Sequence, residues 1–267
     1  MTKSDERHIL ALSGGKDSAA LAVYLTRVKP VPNLEFVFCD TGHELPETYE
    51  YLQKIEAVLG IKIKSISSDR TFEDWLKYKN NFLPSKDRRW CTVELKIRPF
   101  EKYIGKDVAY SYIGLRADED RQGYFSNKIN IKPQYPFIMD GLEYSDIQHL
   151  LESSGLDFPE YYKWRSRSGC YFCFFQQKIE WLNLYKYHNN LFLQAMSFEK
   201  ADEVTVERFT WCDDMSLNEL IAKKEQIRAN HKKKVQLEKI KLKRSNKLSD
   251  TFSNYAFDNQ GCLICTL

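Results

Sequence analysis

Residues 13–18 read Ser13-Gly14-Gly15-Lys16-Asp17-Ser18. They separate an apolar run, His8-Ile9-Leu10-Ala11-Leu12, from a stretch of helix-forming composition, Ala19-Ala20-Leu21-Ala22-Val23-Tyr24-Leu25. A strand that ends in a glycine-rich turn and opens a helix gathers backbone N–H groups and the positive end of a helix dipole at one point. The two glycines let an anion come close to the backbone, and Lys16 adds a full positive charge. The spacing is neither that of a Walker A loop, GxxxxGK[ST], nor that of a dinucleotide GxGxxG turn.

The segments that follow keep the same rhythm. Ile9–Leu12, Leu34–Cys39, Ile61–Ile66 and Val108–Ile113 read as strands. Between them, Asp17–Arg27, Pro46–Leu59, Thr71–Tyr78 and Val93–Tyr103 read as helices. Pro46 stands in the first turn of one, with Gly60 just past its end. Such alternation predicts an α/β fold with a doubly wound, mainly parallel sheet. Ligands of these sheets sit outside the carboxyl ends of the strands, where the glycine turn lies. Beyond residue 115 the pattern changes. Ile129–Tyr135 reads as a strand and Tyr144–Ser154 as a helix closed by Gly155, followed by the basic loop Arg165-Ser166-Arg167-Ser168-Gly169. Residues 176–200 and 216–245 read as mostly helical. The expected organisation is a nucleotide-binding unit over residues 1–175 and a mainly helical, basic carboxyl region over 176–267.

Composition adds bounds. With 267 residues and 43% apolar side chains the chain can build a sizeable core. No stretch approaches the ~18 apolar residues of a membrane span, and the charged amino terminus does not read as a signal peptide. The expectation is a soluble, cytoplasmic protein with no membrane partner. The net charge of +3 conceals an asymmetry: residues 223–247 carry eleven Lys or Arg against two acids, so this segment is +9 and the rest −6. One reading is a solvated helix; the other is a contact to the phosphate backbone of DNA or RNA. In a reducing compartment the seven cysteines point to metal or redox chemistry rather than disulfides.

Five segments in order carry a family resemblance. The loop at residues 13–18 resembles the PP-loop of the adenine-nucleotide α-hydrolase superfamily, which includes the N-type ATP pyrophosphatases and the phosphoadenosine phosphosulfate (PAPS) reductases. Asp40-Thr41-Gly42-His43-Glu44-Leu45-Pro46-Glu47-Thr48 resembles its D-T-G-x-x-x-P-E-T segment. Trp90-Cys91-Thr92, with Lys96 and Pro99, resembles its cysteine block. Gly114-Leu115-Arg116-Ala117-Asp118-Glu119, with Arg121 after it, resembles its G-x-R-x-x-E block, and Gly169-Cys170-Tyr171-Phe172-Cys173 its G-C-x-x-C. The resemblance also extends to DNA phosphorothioation enzymes.

The resemblance implies roles. Ser13, Gly14, Gly15, Lys16, Asp17 and Ser18 would hold nucleotide phosphates, with Gly114 beside them and Arg116 and Arg121 as planar phosphate contacts. Asp17 and Asp40 would orient Mg²⁺. Lys16, Asp17 and Arg116 are the expected catalytic set. The intact Gly-Gly-Lys-Asp-Ser favours ATP over a sulfonucleotide, because ATP pyrophosphatases grip the β,γ-diphosphate.

Cys91, Cys170 and Cys173 have the layout of iron–sulfur adenylyl-sulfate reductases, with Thr92 where those enzymes have a second cysteine. A second CxxC, Cys262 and Cys265, closes the chain. Two sites remain open: a [4Fe–4S] cluster on Cys91, Cys170, Cys173 and a tail cysteine, or Zn²⁺ on the two CxxC pairs. Cys39 reads as core and Cys212 as a non-ligand. His43 reads as a loop hydrogen-bonding residue, and the aromatics around Cys170 as a hydrophobic jacket.

The leading expectation is an ATP pyrophosphatase that adenylates its substrate and links this step to sulfur transfer, with nucleic acid as a candidate acceptor and a sulfur-donor protein as a candidate partner. The alternatives are a PAPS or adenylyl-sulfate reductase and a non-catalytic nucleotide-sensing subunit.

Overall fold

Strand β1 (Arg7–Leu12) is apolar on both faces: Ile9, Leu10, Ala11 and Leu12 are all buried. A strand with no polar face must sit in the middle of a parallel sheet covered on both sides. The computed structural model describes residues 6–120, 127–201 and 208–244, and it places β1 there. β2 (Leu34–Cys39), β3 (Ile63–Ile66), β4 (Ala109–Tyr112) and β5 (Ile131–Gln134) complete a five-stranded sheet in the order β3-β2-β1-β4-β5, every pair parallel. The winding reverses at β1, whose neighbours are β2 and β4. That is the switch point at which such sheets open a crevice at their carboxyl ends.

The two-residue period of the strand sorts the core into two layers. Leu10 and Leu12 face α1 (Lys16–Val23), α2 (Pro46–Leu59), α6 (Pro136–Asp140) and α7 (Tyr144–Ser154), through Leu21, Ile55, Phe137, Ile147 and Leu151. Ile9 and Ala11 face the opposite way, onto Phe100 and Ile104 of α5 (Arg98–Ile104). The expected α/β fold, doubly wound and mainly parallel, is what forms.

Local chemistry sets most boundaries. Pro46 opens α2 and Gly60 ends it in the left-handed region, at φ 65°. Thr71 caps α3 (Phe72–Tyr78) in a reciprocal box with Asp74, so Thr71 stands just outside the helix. Gly155, at φ 83°, closes α7. β3 starts at Ile63 rather than Ile61 because the Ile61 N–H is still donated to Glu56 O at the end of α2. The helix expected over 93–103 is longer. It begins with α4 (Trp90–Thr92), passes through a π-helical turn at Val93–Ile97 and continues as α5.

A third cluster lies beside the sheet. α3 contributes Phe72 and Leu76, and the turn before α2 contributes Leu45. They pack with Trp181 and Leu184 of α8 (Lys178–Tyr187), Phe192 and Ala195 of α9 (Asn189–Phe198), Trp211, and Leu217 and Leu220 of α10 (Leu217–Ala222). Trp181 is wholly buried. A two-stranded pair, β6 (Lys200–Ala201) and β7 (Arg208–Phe209), precedes α10. α11 (Lys224–Arg244) follows, and Lys232, Lys233 and Lys234 are exposed on it. No helix among the described residues is long and apolar enough to cross a membrane.

Candidate nucleotide site and cysteine chamber

The glycine turn leaves β1 at the switch point and is fixed from three sides. Gly14 has φ +72°, and a Cβ there would fall 2.5 Å from Cγ2 of Thr48 on α2. Gly15 caps α1 without a side-chain hydrogen bond, and a Cβ on it would fall 2.7 Å from Oγ of Ser168. Gly14 requires glycine for its backbone angle as well as for space, whereas a side chain at Gly15 would first have to displace the Ser168 hydroxyl. The Tyr161 hydroxyl donates to Gly14 O at 2.6 Å. Inside the turn, Ser18 Oγ donates to Gly15 O at 3.1 Å and lies 3.1 Å from Ser13 Oγ.

Lys16 is 2% exposed. Its Nζ lies 3.0 Å from Asp17 Oδ2 and faces the rings of Tyr162 and Tyr144 at 5.3 and 5.8 Å. Arg116 reaches the same point from the loop after β4. Its Nη1 is 3.0 Å from Asp17 Oδ1 and 3.1 Å from Glu119 Oε1, and its Nε is 2.9 Å from Asp118 Oδ1. Burial alone would favour the neutral guanidine, but the three carboxylates outweigh it and hold Arg116 charged. Burial likewise opposes ionisation of Asp17, and the charges of Lys16 and Arg116 overcome it, keeping its carboxyl below the usual range. The result is a charge cluster at the mouth of α1, with two cations and three carboxylates. Gly114 makes the approach possible: a Cβ there would lie 2.9 Å from Asp17 O.

Asp40 sits at the carboxyl end of β2. Its Oδ1 accepts the Gly42 N–H and the Tyr49 hydroxyl, each at 2.8 Å, which folds the Thr41–Glu44 turn. His43 lies between Glu73 and Tyr171, its Nε2 3.2 Å from Glu73 Oε2 and its Nδ1 3.3 Å from the Tyr171 hydroxyl. It ties its turn to α3 and to the Cys170 loop by hydrogen bonds.

The turn that Asp40 braces also holds the CxxC. Thr41 Oγ1 is 3.2 Å from Cys170 Sγ, and Tyr171 N donates to His43 O at 2.8 Å. Arg165, almost wholly buried, donates to the carbonyls of Gly169 and Cys170 at 3.1 and 2.7 Å. Cys91, Cys170 and Cys173 then line one apolar cavity with Thr92, Phe172 and Trp211. The Cys170 sulfur points inward. Loss of hydration, reinforced by the nearby Glu44 charge, pushes its thiol well above the ordinary range. Cys39 and Cys212 are buried elsewhere, and desolvation pushes each thiol up to about 12. Among the described residues, no group of three or more His, Cys, Asp or Glu is arranged to hold a metal ion. The three cysteines share a cavity without yet forming a closed site.

A phosphoadenosine phosphosulfate reductase domain profile matches residues 7–174. The chain belongs to that family. An uncharacterised protein of Methanocaldococcus jannaschii is 29% identical over 181 residues, which is 62% of this chain and 35% of that protein. The adenosine 5'-phosphosulfate reductase of Streptomyces coelicolor is 28% identical over 91 residues, covering 34% of this chain and 38% of its own. The crystal structure of PAPS reductase from Candida auris, a phosphate complex, has a TM-score of 0.46 and 15% identity, over 59% of this chain and 77% of that one. The chain thus spans little more than a third of the length of the two relatives.

This member of the PAPS reductase domain family brings Ser13 to Ser18, Gly114 and Arg116 together, and separately Cys91, Cys170 and Cys173. Arg121, Cys262 and Cys265 lie outside the described residues. Sequence reasoning does not single out Tyr144, Tyr161 and Tyr162, which reach the glycine turn from 128 or more positions away, or Ser168, which closes it. Thr48, which also closes it, ends a quoted motif, but its contact with Gly14 emerges only from geometry. Aromatic rings have no sequence signature for a lysine partner. Asp118 and Glu119 fall inside a quoted motif, but their pairing with Arg116 emerges only from geometry.

Proposed function

We propose that the chain is an adenine-nucleotide enzyme that takes ATP on the glycine turn, transfers AMP to an oxygen of its acceptor and releases pyrophosphate. The observation that carries this reading is Lys16. A lysine 2% exposed, at the open amino end of a helix in a glycine cradle, is a preorganised positive site for phosphate oxygens. In the reaction the acceptor oxygen forms a bond to the α-phosphorus and the bond to the bridging β-oxygen breaks. Pyrophosphate leaves with that electron pair, and the acceptor's proton goes to solvent. Lys16 and the first-turn amides would hold the oxygens on which charge gathers.

The two cations and three carboxylates named above leave one net negative charge. That donor set suits Mg²⁺, which prefers one or two carboxylates plus phosphate oxygens. Asp17, with Asp118 and Glu119 nearby, would hold it; Asp40 is committed to its turn. The cysteine cavity supports sulfur chemistry linked to adenylation. Cys91, Cys170 and Cys173, which line one cavity, would supply three of the four thiols of a [4Fe–4S] cluster, with Cys262 or Cys265 as the fourth. Zinc would instead take the pairs Cys170 and Cys173, Cys262 and Cys265. Such a group, when bound, would carry or activate the sulfur.

The family's own description favours a second reading, reduction of a sulfonucleotide to sulfite. Product analysis separates the two. Mg²⁺-dependent pyrophosphate release from ATP, lost in Lys16→Ala, supports adenylation. Sulfite release from PAPS or adenosine 5'-phosphosulfate with a thiol donor, without pyrophosphate from ATP, overturns it.

A further inference from the structure

A second surface, next to the cysteine cavity, brings cations and aromatic rings together. Lys79, Phe82, Arg88, Arg89, Trp90 and Val93 line an open groove, and none of its lining residues is acidic. Trp90 is locked in place: its Nε1 donates to Phe82 O at 3.0 Å and its ring stacks on Phe72 at 5.3 Å. Arg88 is exposed and lies over the Phe82 ring at 4.7 Å. Lys79 is partly neutralised by Glu94, 3.6 Å away, which leaves the two arginines as the groove's main charges.

The groove does not end there. Towards α3, Lys79 and Arg70 both lie over the rings of Trp75 and Tyr78, at 5.2 to 5.7 Å, and Tyr78 is 65% exposed. In the other direction, Arg89 lies 5.0 Å from the ring of Phe175, a residue of the cysteine cavity. Trp90 and Cys91 are neighbours in the chain, one in the groove and one in the cavity. Cations and rings therefore alternate along a strip from Arg70 to the edge of the cysteine cavity. A single strand of nucleic acid presents the complementary alternation, a phosphate and an unpaired π-face at every step. A duplex hides its faces, and a run of Asp and Glu side chains has none to stack.

We propose that this strip binds single-stranded polynucleotide, without sequence preference, and leads it to the cysteine cavity. The proposal rests on the adenylation reading and gives it an acceptor class.

The test uses the full chain and a fluorescently labelled 12-nucleotide single strand, in DNA and RNA forms, with anisotropy read across a salt series. Wild type should bind the single strand at least ten-fold more tightly than its duplex. Arg88→Glu with Arg89→Glu should lower affinity at least ten-fold and flatten the salt slope by about 0.7 for each phosphate no longer neutralised. Phe82→Ala should weaken binding and leave that slope unchanged, since it removes stacking and no charge. Calorimetric ATP titration of the same variants should match wild type, which separates failure here from failure of the nucleotide site. The proposal is overturned if wild type does not retain the strand or if the arginine variant binds as tightly as wild type. It is also overturned if AMP displaces the strand at equal concentration, or if the weakening follows Lys232→Gln, Lys233→Gln and Lys234→Gln on α11 instead.

Discussion

The backbone carbonyl of Asp17 passes 2.9 Å from the point where a Cβ on Gly114 would stand. This spacing sets how closely the β4 loop approaches the first turn of α1, and so whether Arg116 reaches the Asp17 carboxylate. Because the obstructing atom belongs to the backbone, no side-chain rotation can relieve it. Gly114→Ala is therefore expected to separate loop from helix, destabilising the fold by ~1–3 kcal/mol as an overpacking change. It should also weaken ATP binding at least ten-fold. Denaturant titration and calorimetry check both halves.

The charge cluster predicts an acid limit. Asp17 ionises more readily in the folded chain than in the unfolded one. Its contribution is thus complete above the ordinary carboxyl range, near pH 4, and is lost as pH falls below that range through its folded value. Stability measured by urea titration should drop between pH 5 and pH 3 in wild type, and the drop should be smaller in Asp17→Asn.

Much of this architecture is legible in the sequence. β2, α2 and α7 have the expected limits because each carries its own punctuation: Pro46 and Gly60 for one helix, Gly155 for the other, and an uninterrupted apolar run for the strand. The loop at 13–18 is visible because a glycine turn between strand and helix is a local pattern. What surrounds it is not. Tyr161 donates to Gly14 across 147 positions, and Ser168 meets Gly15 across more than 150. The resemblance turns Arg116 towards phosphate, and here it is engaged by three carboxylates. α6 escapes a sequence reading because its five residues are too few to show a helical period.

The shared aromatic cluster predicts cooperative unfolding. Trp181 joins α8 to Phe192 and Trp211, and the same cluster holds Phe72 from the first half of the chain. Trp181→Ala should cost ~3–5 kcal/mol. Helix loss by far-ultraviolet circular dichroism should still coincide with loss of tryptophan fluorescence in one transition.

Thiol reactivity should sort by position. Cys39 and Cys212, whose thiols burial raises to about 12, should resist iodoacetamide at pH 8 in the native chain. Cys91 and Cys173, each half-buried at the cavity, should be alkylated first. Mass spectrometry of tryptic peptides over a time course reads the order directly.

Calorimetric titration of ATP with Mg²⁺ into wild type and Lys16→Ala bears most directly on the nucleotide cradle. Binding should saturate at one site per chain and weaken at least a hundred-fold when Lys16 is removed. Equal affinity in the two proteins, or no heat with wild type, would contradict that expectation.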